Sequence, residues 1–148
     1  MDHGKVKEVA DMLQQAARRR TVVSYQSFHS MFPMKHDIES RYRVLEEAAR
    51  ALSDPALLDH GCLMALANGL PGDEFFLRFK RLRPAEYAAL MGFASPGRSK
   101  NKRRQIAEAE RARIYERAAS IARHAEEWAA PVSAARPLPL ESCAQAGI

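Results

Sequence analysis

The middle of the chain reads Cys62-Leu-Met-Ala-Leu-Ala-Asn-Gly-Leu-Pro-Gly-Asp-Glu-Phe-Phe76. Residues 63–67 are apolar without a break, which is typical of a strand that is covered on both faces. The Asn68-Gly69 pair that follows is a turn signal of the kind found in hairpins. Asp73 then leads into a group of phenylalanines whose spacing predicts a helix. This segment therefore predicts a strand, a turn and a helix in the centre of the fold.

Helical patterns precede this segment. Apolar residues recur at helical spacing over 5–19, and the β-branched and aromatic stretch 21–25 favours a short strand. Ser24 is placed to cap a short helix, and Asp37 opens a longer one. The apolar stripe predicted for that longer helix consists of Ile38, Tyr42, Leu45, Ala49 and Leu52.

The C-terminal third predicts a brief helix from Pro84 and then a long helix over 102–128. Residues 131–148 are rich in proline, alanine and serine, which predicts an extended or disordered tail. A chain of 148 residues suits one domain. We therefore expect a single mainly helical domain over 1–130, with a small β element and a long C-terminal helix.

The composition limits the class of protein. Apolar residues at 47% and charged residues at 28% are ordinary for a globular domain. The N-terminus has no apolar region typical of a secretory signal, and no segment reaches the roughly 18 apolar residues of a membrane span. We expect a cytoplasmic protein without a membrane partner. The net charge of +5 favours anionic partners.

Positive charge is concentrated between residues 78 and 113, where eleven Lys and Arg face three acidic residues. Such a group can neutralise backbone phosphates and release counterions, which gives sequence-independent affinity for nucleic acid. The alternative is a basic loop and helix start that are merely solvated. The residues predicted to contact nucleic acid are Arg98, Lys100, Lys102, Arg103 and Arg104, with Arg18, Arg19 and Arg20 as additional contacts.

Catalytic and metal-binding patterns are weak. The five histidines show no spacing that would gather a metal ion, and the glycines form neither a P-loop nor a dinucleotide fingerprint. Asp59 and His60 precede Cys62, an order that suggests an activated thiol, but a thiol in an apolar run is more often part of the core. We therefore expect a non-enzymatic protein with no catalytic residue, no metal and no cofactor.

The residues over 21–72 resemble the DNA-binding domain of the O6-alkylguanine-DNA alkyltransferases and alkyltransferase-like proteins. The match consists of the Thr-Val-Val-Ser-Tyr segment, Arg43 near the position of the family's base-replacing arginine, and Cys62 near its cysteine. The resemblance implies a winged-helix-like core, in which the helix beginning at Ile38 enters a groove of DNA. The family's proline, histidine and arginine around the cysteine are missing here, so alkyl transfer is not expected.

A second interpretation makes the protein an interaction or self-associating module. In that interpretation the long C-terminal helix pairs with a partner or with its own copy, giving a homo-oligomer. The residues predicted to form the interface are Ile114, Ile121 and Trp128. The same apolar stripe is equally compatible with packing inside a monomer.

Overall fold

The computed structural model describes residues 3–92 and 99–134, which are mainly helical. The helices are α1 His3–Arg19, α2 Tyr25–His29, α3 Ile38–Leu52, α4 Asp73–Leu82, α5 Pro84–Met91 and α6 Lys100–Ala134. The strands are β1 Val23–Ser24 and β2 Met64–Ala65, and a 3-10 turn spans His60–Leu63. The predicted class, mainly α with a small β element and a long C-terminal helix, is confirmed.

β1 and β2 form a two-stranded parallel sheet, in which Val23 lies opposite Met64 and Ser24 lies opposite Ala65. Both strands are shorter than the sequence predicts. The second was predicted over 63–67: Leu63 belongs to the 3-10 turn, and Leu66 and Ala67 belong to the turn that follows the strand.

The predicted turn after β2 is present. The amide of Leu66 donates to the carbonyl of Leu70 at 2.7 Å, and the amide of Gly69 donates to the carbonyl of Leu66 at 2.8 Å. Gly69 has a φ of 86°, a left-handed conformation that glycine adopts without a steric penalty. The turn does not join two paired strands, since the strand that pairs with β2 is β1.

The predicted helix caps are confirmed. The hydroxyl of Ser24 accepts a hydrogen bond from the Ser27 amide at 3.1 Å at the start of α2. The carboxylate of Asp37 accepts one from the Ser40 amide at 3.1 Å at the start of α3. Pro84 occupies the first turn of α5, where its missing N–H costs no helical hydrogen bond.

The core contains the interface at which α1 packs against α3, together with buried aromatic side chains of α2 and α4. These side chains are apolar and almost completely buried, and burial of each one larger than alanine stabilises the fold by about 1.5–3 kcal/mol relative to an exposed position. They include Val9, Leu13, Phe28, Val44, Ala48, Leu63, Met64, Phe75 and Phe79.

The buried face of α3 differs from the predicted stripe. Ile38 is 53% exposed, whereas Val44 and Ala48, which the stripe omitted, are buried. Leu45 and Ala49 are buried as predicted. The true core face therefore lies next to the predicted one, and the first turn of α3 carries its isoleucine outside the core.

The chain divides into two compact units, Met1–Tyr115 and Glu116–Ile148. The first unit contains the core described above, and the α6 residues Ile106 and Ile114 are buried in it. In the second unit, Ile121 is 52% exposed. α6 ends at Ala134, so it continues past the tail boundary predicted at 131. Residues 135–148, the remainder of the predicted tail, lie outside the described residues.

Candidate nucleic-acid interface

The predicted contact residues lie in the first turns of α6, except for Arg98, which lies outside the described residues. Ser99 precedes this helix and caps it: its hydroxyl accepts from the Lys102 amide at 3.3 Å, and its carbonyl accepts from the Arg103 amide at 2.9 Å. The first turn contains no acidic residue. Cations at a helix N-terminus face the positive end of the helix dipole, which is unfavourable for the helix alone. The positive potential here is therefore the sum of side-chain charges and helix dipole.

A cavity of about 470 Å³ adjoins this helix start. Lys100 and Arg103 contribute its basic wall. The opposite wall comes from the turn after β2 and the start of α4, and it consists of Leu66, Asn68, Leu70, Pro71 and Asp73. The cavity is thus basic on one side and largely apolar on the other.

The basic residues at the cavity differ in whether their charge is neutralised. The Arg103 guanidinium donates to the Asp73 carboxylate at 2.8 Å and lies over the Phe76 ring, 4.6 Å from its centroid. Lys100 is exposed and has no ion-pair partner among residues 3–92 and 99–134. Lys100 therefore brings a positive charge to the cavity that no described carboxylate neutralises.

Two further arginines of α6 hold the turn that forms the cavity wall. Arg104 donates to the carbonyl of Asn68 at 3.0 Å. Arg111, two helical turns later on the same face, donates to the carbonyls of Cys62 at 2.6 Å, Met64 at 3.1 Å and Gly69 at 3.0 Å. Because carbonyls are neutral acceptors, these contacts fix the two guanidinium groups without cancelling their charge.

Lys102 points away from this group. Its ammonium donates to the carbonyl of Met91 at 3.0 Å, at the end of α5, where Gly92 reverses the chain with a φ of 91°. A lysine at a helix C-terminus satisfies an orphan carbonyl and suits the helix dipole. The structure thus brings Lys100, Arg103 and Arg104 together and places Lys102 on the neighbouring flank of α6.

Some of the remaining basic residues between 78 and 113 form ion pairs inside the protein. Arg78 is buried against the carboxylate of Asp59, and Arg83 is buried against that of Glu110. Glu110 is fully buried and also accepts from Arg113. The charge excess that the sequence shows is therefore larger than the charge that reaches the surface.

The arginines at the end of α1 are exposed. Arg20 has a φ of 56° and lies over the ring of Tyr115, 5.5 Å from its centroid. The hydroxyl of Tyr115 donates to the carbonyl of Thr21 at 2.9 Å. Lys100, Arg104 and Arg111 form a row along one face of α6, and Tyr115 follows Arg111 by one turn. Arg20, which lies over the Tyr115 ring, is therefore beyond the Arg111 end of this row.

The Cys62 thiol is completely buried. Burial raises its pKa well above the ordinary value, and the carboxylates of Glu110 and Asp59 raise it further. This is the opposite of the lowered pKa that a reactive thiolate needs. The Nδ1 atom of His60 lies 3.1 Å from the hydroxyl of Ser53, which itself donates to the carbonyl of Leu58.

Among residues 3–92 and 99–134, no three His, Cys, Asp or Glu side chains are grouped so that they would hold a metal ion. In these same ranges, no helix combines the length and the apolar character that a membrane span requires.

The sequence did not identify the apolar wall of the cavity or the role of Arg111. One signal was available: Arg104 and Arg111 are seven residues apart, a spacing that places them on one face of a helix. Their acceptors on the turn after β2 could not be inferred, because that contact is set by tertiary packing.

No family model, no curated protein and no solved structure matches this chain. Its function is therefore inferred from the site's own geometry.

Proposed function

We propose that this protein is a non-enzymatic nucleic-acid-binding protein that contacts backbone phosphates from the start of α6. The observation that carries the proposal is the set of cations in the first turns of that helix that have no carboxylate partner within 3–92 and 99–134. Lys100 is exposed, whereas Lys102 and Arg104 donate to the backbone carbonyls of Met91 and Asn68. Their charges add to the positive end of the helix dipole, which is a favourable position for a phosphate.

The arrangement favours a backbone more than a single ion. Lys100, Arg104 and Arg111 follow one face of α6, and Arg20 lies beside Tyr115 one turn further on. At 1.5 Å per residue, the interval from Lys100 to Tyr115 spans roughly 22 Å. A row of that length is suited to several successive phosphates, whose neutralisation releases counterions and makes the affinity salt-dependent.

In a winged-helix-like arrangement, α3 would be the helix that enters a groove. Its exposed side carries ion pairs between Arg43 and Glu39 and between Arg50 and both Glu46 and Glu47. Those carboxylates would approach phosphates and repel them. We therefore assign the phosphate contacts to α6 and leave α3 the role of a core helix.

Fluorescence anisotropy with a labelled mixed-sequence oligonucleotide tests the proposal. We expect binding at about 50 mM salt that weakens steeply toward about 200 mM, with a slope proportional to the number of phosphates neutralised. The variant K100A/K102A/R104A should bind more weakly and show a slope that is smaller by about two to three.

The matched control removes three exposed cations elsewhere on the first unit, in the variant K7A/K35A/R43A. It changes the net charge by the same amount and should retain most of the affinity and the slope. Equal losses of affinity in both variants would mean that binding depends only on the overall charge of the protein. Absence of binding at 50 mM salt would reject the function.

Self-association is the second candidate, and the exposure of Ile121 in the second unit favours it. Of the interface predicted for it, Ile114 is buried in the first unit and is not available to a partner. The side chain of Trp128 lies outside the described residues. Light scattering of the wild type and of Ile121→Glu tests the proposal, which requires an oligomer that the substitution dissociates without unfolding the chain.

A further inference from the structure

The cavity beside α6 has features that a row of phosphate contacts does not require. Its volume of about 470 Å³ lies within the range of small-molecule sites. One wall is apolar, formed by Leu66, Leu70 and Pro71. Leu66 is 46% exposed, although it follows directly after the buried strand β2. A phosphate gains nothing from such a wall, whereas the flat face of a nucleobase does.

Asn68 supplies a polar group at the same wall. Its Oδ1 atom accepts from the Leu70 amide at 3.0 Å, which fixes the orientation of the side-chain amide, because a backbone N–H must meet the oxygen. The Nδ2 group then has two N–H donors and no acceptor in the part of the chain that the structure describes. Donors of this kind suit the ring nitrogens and carbonyl oxygens of a base edge.

The turn that carries these groups is held rigidly. Arg104 and Arg111 donate to the carbonyls of Asn68 and Gly69, and Arg103 holds the side chain of Asp73. The cavity wall is therefore fixed before any ligand arrives, which lowers the entropic cost of binding. Arg103 also neutralises the carboxylate that would otherwise repel a phosphate at the cavity.

We propose that the cavity receives an unpaired nucleobase, so that the protein prefers single-stranded nucleic acid to duplex. This inference rests on the proposed function and specifies its ligand. The base would lie against Leu66, Leu70 and Pro71 with its edge at Asn68, and the phosphate of the same nucleotide would lie at Lys100. Bases in a duplex are stacked and paired, so a duplex does not offer the face of a base to this wall.

The experiment compares three labelled ligands of about 12 nucleotides, a length within the range of single-strand sites. They are a mixed-sequence single strand, its duplex, and a single strand of the same length in which every base is replaced by an abasic site. We expect the intact single strand to bind at least about fivefold more tightly than the abasic strand, a difference of about 1 kcal/mol. Salt slopes should be similar for the two single strands, because their charges are equal.

Two variants locate the effect. Leu66→Ala should lower the affinity for the intact single strand about fivefold and leave the abasic strand and the duplex unchanged. Leu77→Ala is the matched control, because Leu77 is 66% exposed on α4 and does not line the cavity. Circular dichroism melting of both variants verifies that each is folded.

The proposed base site is rejected if the intact and abasic strands bind with equal affinity. It is also rejected if L66A and L77A lower the affinity for the intact single strand equally. Equal competition by an acidic polyglutamate peptide of the same charge would also overturn it, because the peptide has no base. In each of these cases the phosphate-binding function still stands if K100A/K102A/R104A lowers the salt slope. If no strand binds at about 50 mM salt, both proposals fail.

Discussion

Arg78 and Asp59 form a buried, two-pronged ion pair, in which Nε donates to Oδ2 at 2.6 Å and Nη2 donates to Oδ1 at 3.1 Å. The Asp59 carboxylate also accepts from the Gly61 amide at 2.8 Å. Burial alone would lower the pKa of Arg78, but the hydrogen bonds and the charge of Asp59 raise it above its ordinary value. The pair joins α4 to the start of the 3-10 turn, directly before the segment that leads into β2.

Substitution of Arg78 by methionine should destabilise the fold by about 3–5 kcal/mol, because it leaves the carboxylate of Asp59 buried without its partner. Chemical denaturation followed by circular dichroism measures the loss. Arg81→Met is the matched control on the same helix, since Arg81 is exposed and lies 3.9 Å from the carboxylate of Glu46. A surface pair of this kind contributes little, so its loss should stay below about 1 kcal/mol. Similar losses of unfolding free energy in both variants would contradict the structural role of the buried pair.

The hydroxyl of Tyr25 gives a second stability prediction. It donates to the carboxylate of Glu74 and accepts from the buried amide of Gly72 at 2.8 Å. Burial and the neighbouring carboxylate raise the pKa of Tyr25, so the phenol stays protonated and can donate. Tyr25→Phe should cost about 1–3 kcal/mol, because a buried N–H loses its acceptor. Tyr42→Phe should cost less, since the Tyr42 hydroxyl makes no hydrogen bond to a described residue.

The features that could be predicted from the sequence are local. Ser24, Asp37 and Pro84 mark helix starts because a cap depends on residues within one turn of the chain. The turn at Gly69 was predictable for the same reason. The pairing of β2 with β1 was not, since the two strands are separated by about 40 residues and a local turn signal points to the wrong neighbour.

The candidate site was predictable only in part. The cluster at Lys100 and Arg104 follows from the sequence as a run of positive charge. The sequence does not distinguish these residues from Arg78 and Arg83, which have the same chemistry and lie in the same charged stretch. Their buried partners, Asp59 and Glu110, are 19 and 27 residues away, so the division into surface and interior charges depends on the tertiary fold.

The pKa of His29 predicts a pH dependence of stability. Burial lowers this pKa, and the positive charge of Arg41 lowers it further. The Arg41 Nη1 atom lies 3.4 Å from Nδ1 of the imidazole, which can accept its N–H only when that nitrogen is unprotonated. The folded state therefore prefers the neutral ring.

An imidazole has a pKa of about 6.5 in the unfolded chain, and the pKa of His29 is lower in the folded protein. As the pH falls through this interval, protonation favours the unfolded state and stability is lost. Urea denaturation at a series of pH values from about 8 to about 5 measures this loss. His29→Gln should flatten the dependence, whereas His124→Gln, an exposed position in the second unit, should retain it. A steep dependence that persists in His29→Gln would assign the effect to another group.

The last prediction concerns the Cys62 thiol, whose side chain is completely buried. Alkylation requires the thiolate at the surface, but burial raises the pKa of this thiol and the fold covers it. In a Cys143→Ser variant, where Cys62 is the one cysteine left in the sequence, iodoacetamide near neutral pH should add little mass to the native protein and one adduct after denaturation. Modification should then follow unfolding, so R78M should be alkylated faster than R81M. Rapid alkylation of the native protein would contradict the buried position and would favour a thiol reaction at this site.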